Sequence, residues 1–356
     1  MKIYFANIYP WHFPRRGQEL IVRQGHQLGG NWLGTPYYQR LEEFSPDVIF
    51  YAPARGSASL TLPPEVVKKT PTILWALYPD YLTGWDREKN EHMGGFLESV
   101  RAMMPYFRAY LANSRFTKGL LEARVPGYIF EVCYLGIDTS GIDEAAPRRQ
   151  LAGQATSVAW MHRWASDKNL SEALGIVLHL ARRHPKITFY VGSKEDWNDS
   201  GSEPFWATQS LKDSYLAVAD ELNDLSNIQY RARFKIQRDF WAFLHCVDIA
   251  FSCAANESFG IAMLEHAYAG DACVVPDRVA YSEVHAGALV VPASEVEAGI
   301  ELLINNPALW AQVAESSRVN AARYDVASTV GHLLSFTKLG GGLHSAGEAA
   351  TAVAPQ

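Results

Sequence analysis

Short runs of apolar residues recur along the chain, separated by longer stretches in which apolar positions return every three or four residues. The runs Lys2–Ile8, Asp47–Tyr51, Thr72–Leu77, Ala109–Asn113 and Phe130–Tyr134 are nearly continuous in their hydrophobicity rather than alternating. That is the pattern of strands buried on both faces, so helical segments between them predict a parallel sheet covered on each side. The periodicity lapses in the polar stretch Thr139–Thr156, which reads as a linker between domains. It resumes with Ser157–Met161, Ile187–Val191, Ile228–Tyr230, Val247–Ser252, Ala272–Val275 and Ala288–Val291, and predicts a second α/β domain. The division expected is a first domain over 1–138, a linker over 139–156, a second domain over 157–325 and a helix over 326–339. The remainder, 340–356, is rich in Ala, Gly and Ser without core-forming residues and reads as a disordered tail.

With 356 residues the chain exceeds the size at which one hydrophobic core stops growing, which agrees with two domains. Its 48% apolar and 20% charged residues are those of an ordinary globular protein. The formal charge of -6 is unevenly spread: residues 1–150 hold 17 basic and 15 acidic side chains, the rest 15 and 23. A general phosphate-binding surface is not written in such a balance, so an anion bound by the second half must be held by a local site. The cysteines Cys133, Cys246, Cys253 and Cys273 sit singly in apolar runs without metal or redox spacing and read as buried free thiols. Neither a signal-like stretch nor a run of the ~20 residues that span a membrane occurs, so a cytoplasmic setting is expected.

Several chemistries lack their motifs. The loop after the first strand, Asn7–Gly17, carries only Gly17 in place of the glycine pattern of dinucleotide sites. There is no phosphate loop of the ATPase type, no H-E-x-x-H, no nucleophile elbow and no D-x-D pair to clamp a metal diphosphate.

The informative segment is Val247–Ala267. A buried strand is expected to end near Ser252, a loop to carry Glu257, and a helix to begin near Ser258, with Gly260 leaving the first-turn amides open. Free amides at a helix start suit a diphosphate. Glu257 and Glu265 are eight residues apart, about 12 Å along a helix, a span comparable to that from the sugar to the ribose of a nucleotide sugar. A plainer reading makes Glu257 a partner of the helix dipole and Glu265 a solvated residue. Arg163 and Lys168 follow the first strand of the same domain, where cations can neutralise a diphosphate; they can equally be surface charges, with His162 a packed histidine.

Glu257-Ser258-Phe259-Gly260 through Glu265, together with Arg163, Lys168, Ala272–Pro276 and Ser282-Glu283-Val284, resembles the retaining glycosyltransferases of the GT-B fold, specifically glycosyltransferase family 4 with its E-x7-E motif. The likeness extends to Ala112–Lys118 and Gly136–Asp138. It implies an α/β fold of two Rossmann-like domains facing a cleft, with the acceptor on the first domain and a nucleotide sugar on the second. In those terms Glu257 would hold sugar hydroxyls, Glu265 the ribose, Arg163 and Lys168 the diphosphate, and the Phe259 and Gly260 amides the transferring end, with Ser258 and Gly17 also on the donor side. Transfer of a hexose would retain configuration, needing no metal and no cofactor beyond the nucleotide-sugar co-substrate. The acceptor is left open among glycan, lipid, small molecule and nucleic acid. The first domain departs from the family pattern: Thr72–Leu77 leads into Tyr78-Pro79-Asp80-Tyr81 without the histidine many relatives carry. His12 and Asp80 are candidate cleft residues, as are aromatics including Trp11, Trp32 and Trp75. The stretch Phe96–Leu111 reads either as a helix packed on the sheet or as a basic amphipathic surface that would place the protein at a membrane periphery. A nucleotide-sugar-binding protein without turnover and an epimerase on the same fold are the alternative functions.

Overall fold

The computed structural model describes residues 1–7, 14–27, 31–35, 41–52, 62–76, 103–146, 153–162, 164, 168–192, 209–231, 234 and 236–338. They form two compact units, one of Met1–Gly136 with Val326–Gln356, the other of Ile137–Asp325.

The first unit is a parallel sheet in the order β2-β1-β3-β4-β5-β6. Its strands are β1 (Lys2–Asn7), β2 (Asn31–Thr35), β3 (Val48–Ala52), β4 (Thr72–Ala76), β5 (Ala109–Ala112) and β6 (Glu131–Val132). Every residue of β3 and β4 is buried, as the unbroken apolar runs require of strands covered on both faces. The helices are α1 (Pro14–Gln27), α2 (Leu41–Phe44), α3 (Pro64–Lys69) and α4 (Arg115–Arg124), the last capped by the Ser114 side chain on the Thr117 amide. Gly17, expected in the first loop, lies inside α1. Strand β2 was not expected from the pattern, since Asn31-Trp32-Leu33-Gly34-Thr35 has only two apolar residues and is broken by glycine. Trp75 is no cleft residue: it is fully buried, edge-on to Phe5, and its indole donates to the Cys133 carbonyl at 3.1 Å. Nor does Phe96–Leu111 form one surface helix in its described part. Met103, Met104 and Phe107 are core residues, and β5 has begun by Ala109. Residues 96–102 lie outside the described residues.

The second unit is a parallel sheet in the order β12-β11-β10-β7-β8-β9. Its strands are β7 (Ser157–Trp160), β8 (Thr188–Gly192), β9 (Ile228–Arg231), β10 (Ile249–Phe251), β11 (Ala272–Pro276) and β12 (Leu289–Val291). Around it run α5 (Thr139–Ala145), α6 (Leu170–Arg183), α7 (Gln209–Asn223), α8 (Gln237–Leu244), α9 (Ile261–Ala269), α10 (Tyr281–Val284), α11 (Val296–Asn305) and α12 (Pro307–Ala321). The stretch read as a linker thus contains a helix of this unit. Asp138 caps α5 by accepting from the Gly141 amide at 3.0 Å, and Ile142 is wholly buried. The last described helix, α13 (Val326–Lys338), returns to the first unit, where Val326, Val330, Leu333 and Phe336 join its core. Cys133, Cys253 and Cys273 are buried free thiols as expected, whereas Cys246 is exposed. Among the described residues no helix is long and apolar enough to cross a membrane.

One buried carboxylate ties the central strands together. Asp248, just before β10, accepts at Oδ2 from the Thr156 amide (2.7 Å) and hydroxyl (2.9 Å) and from the Ser157 amide and hydroxyl (both 3.0 Å) at the start of β7. Asp248→Ala strands the Ser157 amide and hydroxyl in a buried place and frees the more exposed Thr156 donors. It is expected to lower stability by about 4 kcal/mol, read as a shift of the denaturant midpoint.

Candidate functional site at the carboxyl ends of β7 and β10

In the second sheet β8 and β9 extend on one side of β7, while β10, β11 and β12 extend on the other. The order in which strands are added therefore reverses between β7 and β10, with successive strands on opposite sides of this pair, the kind of switch point at which open α/β sheets bind ligands. Those two loops carry Lys168 and Glu257. The Lys168 ammonium donates to Glu257 Oε2 at 2.8 Å and to the Asn256 carbonyl at 3.2 Å, with the two side chains only 13% and 17% exposed. Burial alone would raise the Glu257 carboxyl. The Lys168 charge and hydrogen bond, His162 and the Phe259 amide outweigh it and bring the group from 4.5 down to about 2.

The chain after Glu257 does not enter a helix at once. Gly260 sits in the left-handed region at φ +83°, and α9 starts at Ile261 rather than near Ser258. A Cβ at Gly260 would lie 2.7 Å from His285 Nε2 and 2.9 Å from Tyr281 Cε1, so both conformation and packing demand glycine. Glu257 consequently stands in the loop, off the helix, and the spacing of about 12 Å calculated along a helix does not describe this pair. The Phe259 amide turns back to Glu257 Oε1 at 3.4 Å, and half-buried Ser258 lies between them in sequence.

Behind the loop is a buried layer that the sequence did not announce. His285 donates from Nε2 to the Phe259 carbonyl at 3.2 Å; burial lowers its imidazole to about 4 against the pull of that bond, so it is uncharged at neutral pH. Ser252 and Tyr281 share a hydrogen bond of 2.6 Å, and burial raises the Tyr281 phenol well above its usual value. Arg278 holds the Ala254 carbonyl at 2.9 Å and the Cys253 carbonyl besides, fixing the end of β10. Next to it Val279 adopts φ +53°, a conformation costly for a β-branched residue. Only the proximity of Tyr281 and His285 to Ser282-Glu283-Val284 in sequence could have drawn attention to them.

Glu265 is not a solvated helix residue. It is 5% exposed on α9, and its Oε1 accepts from the Trp241 indole at 2.8 Å and from Gln237 Nε2 at 3.2 Å. His162 is likewise buried, tilted against Trp160. One residue beyond Glu265, His266 Nδ1 lies 2.5 Å from Asp271 Oδ2 in the interior, where burial and the neighbouring His162 lower its imidazole to about 3. The structure thus brings together Lys168, Glu257, Ser258, Phe259 and Gly260, with Glu265 about one turn into the helix that follows. Arg163, His12 and Asp80 lie outside the described residues.

No model of a known protein family matches the chain, and no curated protein sequence does. Solved structures do resemble it. Sucrose-phosphate synthase from Thermosynechococcus elongatus has a TM-score of 0.72 at 9% identity, over 95% of this chain and 99% of that one. HepE from Anabaena, in complex with UDP and glucose, has a TM-score of 0.62 at 12% identity, over 95% and 99%. A UDP-forming α,α-trehalose-phosphate synthase from Burkholderia xenovorans has a TM-score of 0.62 at 13% identity, over 84% and 76%. These neighbours are GT-B glycosyltransferases, and the chain shares their α/β fold of two parallel sheets.

Because its carboxyl is depressed, Glu257 contributes stability that is present above pH 4.5 and is lost as pH falls toward 2. A carboxyl-carbon NMR titration should place Glu257 near 2 in the native protein. In Lys168→Met the same titration should move upward, since the cation and its hydrogen bond no longer offset burial, although His162 and the Phe259 amide remain.

Proposed function

We propose that the second unit binds a nucleotide sugar, a UDP-hexose in the first instance, and that the protein is a retaining glycosyltransferase. The observation that carries this reading is the Lys168–Glu257 pair, on two loops that part at the switch point of a parallel sheet, followed by a left-handed glycine. A carboxylate held ionised accepts from sugar hydroxyls. A cation beside it meets the diphosphate, joined in this reading by Arg163, and the Phe259 and Gly260 amides face the transferring end. Glu265 takes the ribose. What the named neighbours hold or form, UDP and glucose, supports the choice of donor.

Departure of the diphosphate leaves positive charge on the sugar and negative charge on the phosphate. Cations and amide dipoles already aimed at that phosphate stabilise the charge as it develops, without reorganising. In this reading the positive charge comes from side chains, and no metal is needed. The first unit supplies the acceptor side, and the acceptor is sought among sugars and sugar phosphates before lipids or nucleic acid.

The test is product analysis with UDP-sugars, with and without an acceptor panel. A transferase needs the acceptor, an epimerase converts donor without it, and a binding protein yields neither product. Two outcomes are expected. Glu257→Gln should lower kcat by roughly 10², the loss of one charged hydrogen bond that strengthens in the transition state, while nucleotide affinity changes little. Transfer should also persist in excess chelator; complete loss that added divalent metal restores would sink the metal-free mechanism.

A further inference from the structure

Helix α5 opens the second unit and carries none of the residues assigned to the donor, yet its packing leads directly to one of them. It is fixed from several directions. Asp138 caps it, His245 at the end of α8 holds the Ile142 carbonyl at 3.2 Å, and Asp143 accepts from the Tyr268 hydroxyl of α9 at 2.9 Å. Against this anchored helix lies the indole of Trp241. A Cβ placed on Gly141 would be 2.3 Å from Trp241 Cζ3 and 2.6 Å from Cη2, so the benzo ring presses on bare backbone. The opposite edge of the same ring donates from Nε1 to Glu265 Oε1 at 2.8 Å. An indole has few rotamers and one donor, so a ring wedged on one side delivers its N–H to a fixed point on the other. Gln237, one turn earlier on α8, reaches the same oxygen at 3.2 Å.

We propose that Trp241, backed by Gly141, is a positioning residue that sets the rotamer of Glu265 and thereby its hold on the ribose hydroxyls. The proposal rests on the nucleotide-sugar reading of Glu265. It gives α5 a role in donor recognition that its distance in sequence conceals. With the Trp241 and Gln237 bonds removed, a buried carboxylate loses the donors that orient one of its oxygens, and its preference for two vicinal hydroxyls falls.

The experiment compares the affinities of UDP and 2′,3′-dideoxy-UDP by calorimetry, because the ratio reports contact with the ribose hydroxyls and cancels general loss of stability. In the unaltered protein UDP should bind about tenfold more tightly or better, as hydrogen bonds to a charged group imply. Trp241→Phe, which keeps an aromatic side chain but deletes the N–H and shrinks the ring, should bring the ratio below about threefold, with dideoxy-UDP affinity nearly unchanged. Gly141→Ala, which displaces the ring without touching its donor, should narrow the ratio as well. Gln237→Met serves as the milder second variant should Trp241→Phe fold poorly, and should narrow it less. If the unaltered protein does not distinguish the two nucleotides, the ribose assignment of Glu265 falls and the inference with it. If it does distinguish them and all three variants keep the full ratio, Glu265 binds ribose without help from Trp241, and the inference alone is overturned.

Discussion

The left-handed turn at Gly260 is the constraint on which the second unit's site depends. It interrupts the passage from β10 into α9, so the three residues before it stay in irregular backbone and Glu257 stands in the loop outside the helix. Because no Cβ projects there, His285 and Tyr281 approach the backbone closely enough to hold the Phe259 carbonyl and the Ser252 hydroxyl. A side chain at that position would push away the layer that keeps the loop in shape. The remaining parts, Arg278 on the carbonyls of Cys253 and Ala254 and Asp248 across the start of β7, hold the two strands from which the loops depart.

Within that frame the ion pair of Lys168 and Glu257 is costly to keep and purposeful. Two charges largely withdrawn from water gain little net stability over an apolar pair, so such a contact is poor evidence for a structural device. Its more natural meaning is readiness. In the proposed reading the Lys168 cation holds Glu257 ionised and in place, ready to meet the hydroxyls of an entering ligand.

Much of the architecture was legible because central parallel strands buried on both faces must be nearly continuous in apolar residues, as β3, β4, β10 and β11 are, while the edge strands β6 and β9 carry Glu131, Gln229 and Arg231. Strand β2 escaped because an edge strand needs less burial and Gly34 and Asn31 erase its signature. Helix α5 was mistaken for a linker for a different reason. Only Ile142 of it is buried, and the helices that stabilise it, α8 and α9, lie about a hundred residues further on, where no local pattern points back to it. The same distinction divides the site. Lys168, Glu257 and Gly260 have chemistry that residue type and spacing announce. Arg278, His285 and Trp241 acquire theirs from what they touch across the fold.

The chain leaves the first unit after Gly136 and re-enters it at Val326, and the residues flanking these points are adjacent: Ile137 bridges to Asp325, and its amide bonds to the Tyr324 carbonyl at 2.8 Å. The second unit is therefore an insertion whose ends meet. On the ribosome this imposes an order, since domains fold as they emerge. The inserted unit has its whole sequence by Asp325, while the first still lacks Val330, Leu333 and Phe336 from its core. The half of the molecule that is synthesised first is thus the last to be completed, and until α13 emerges its sheet presents an apolar face that needs cover. Truncation before α13 would leave the inserted unit intact and strip the closing helix from the other, a vulnerability created by connectivity alone.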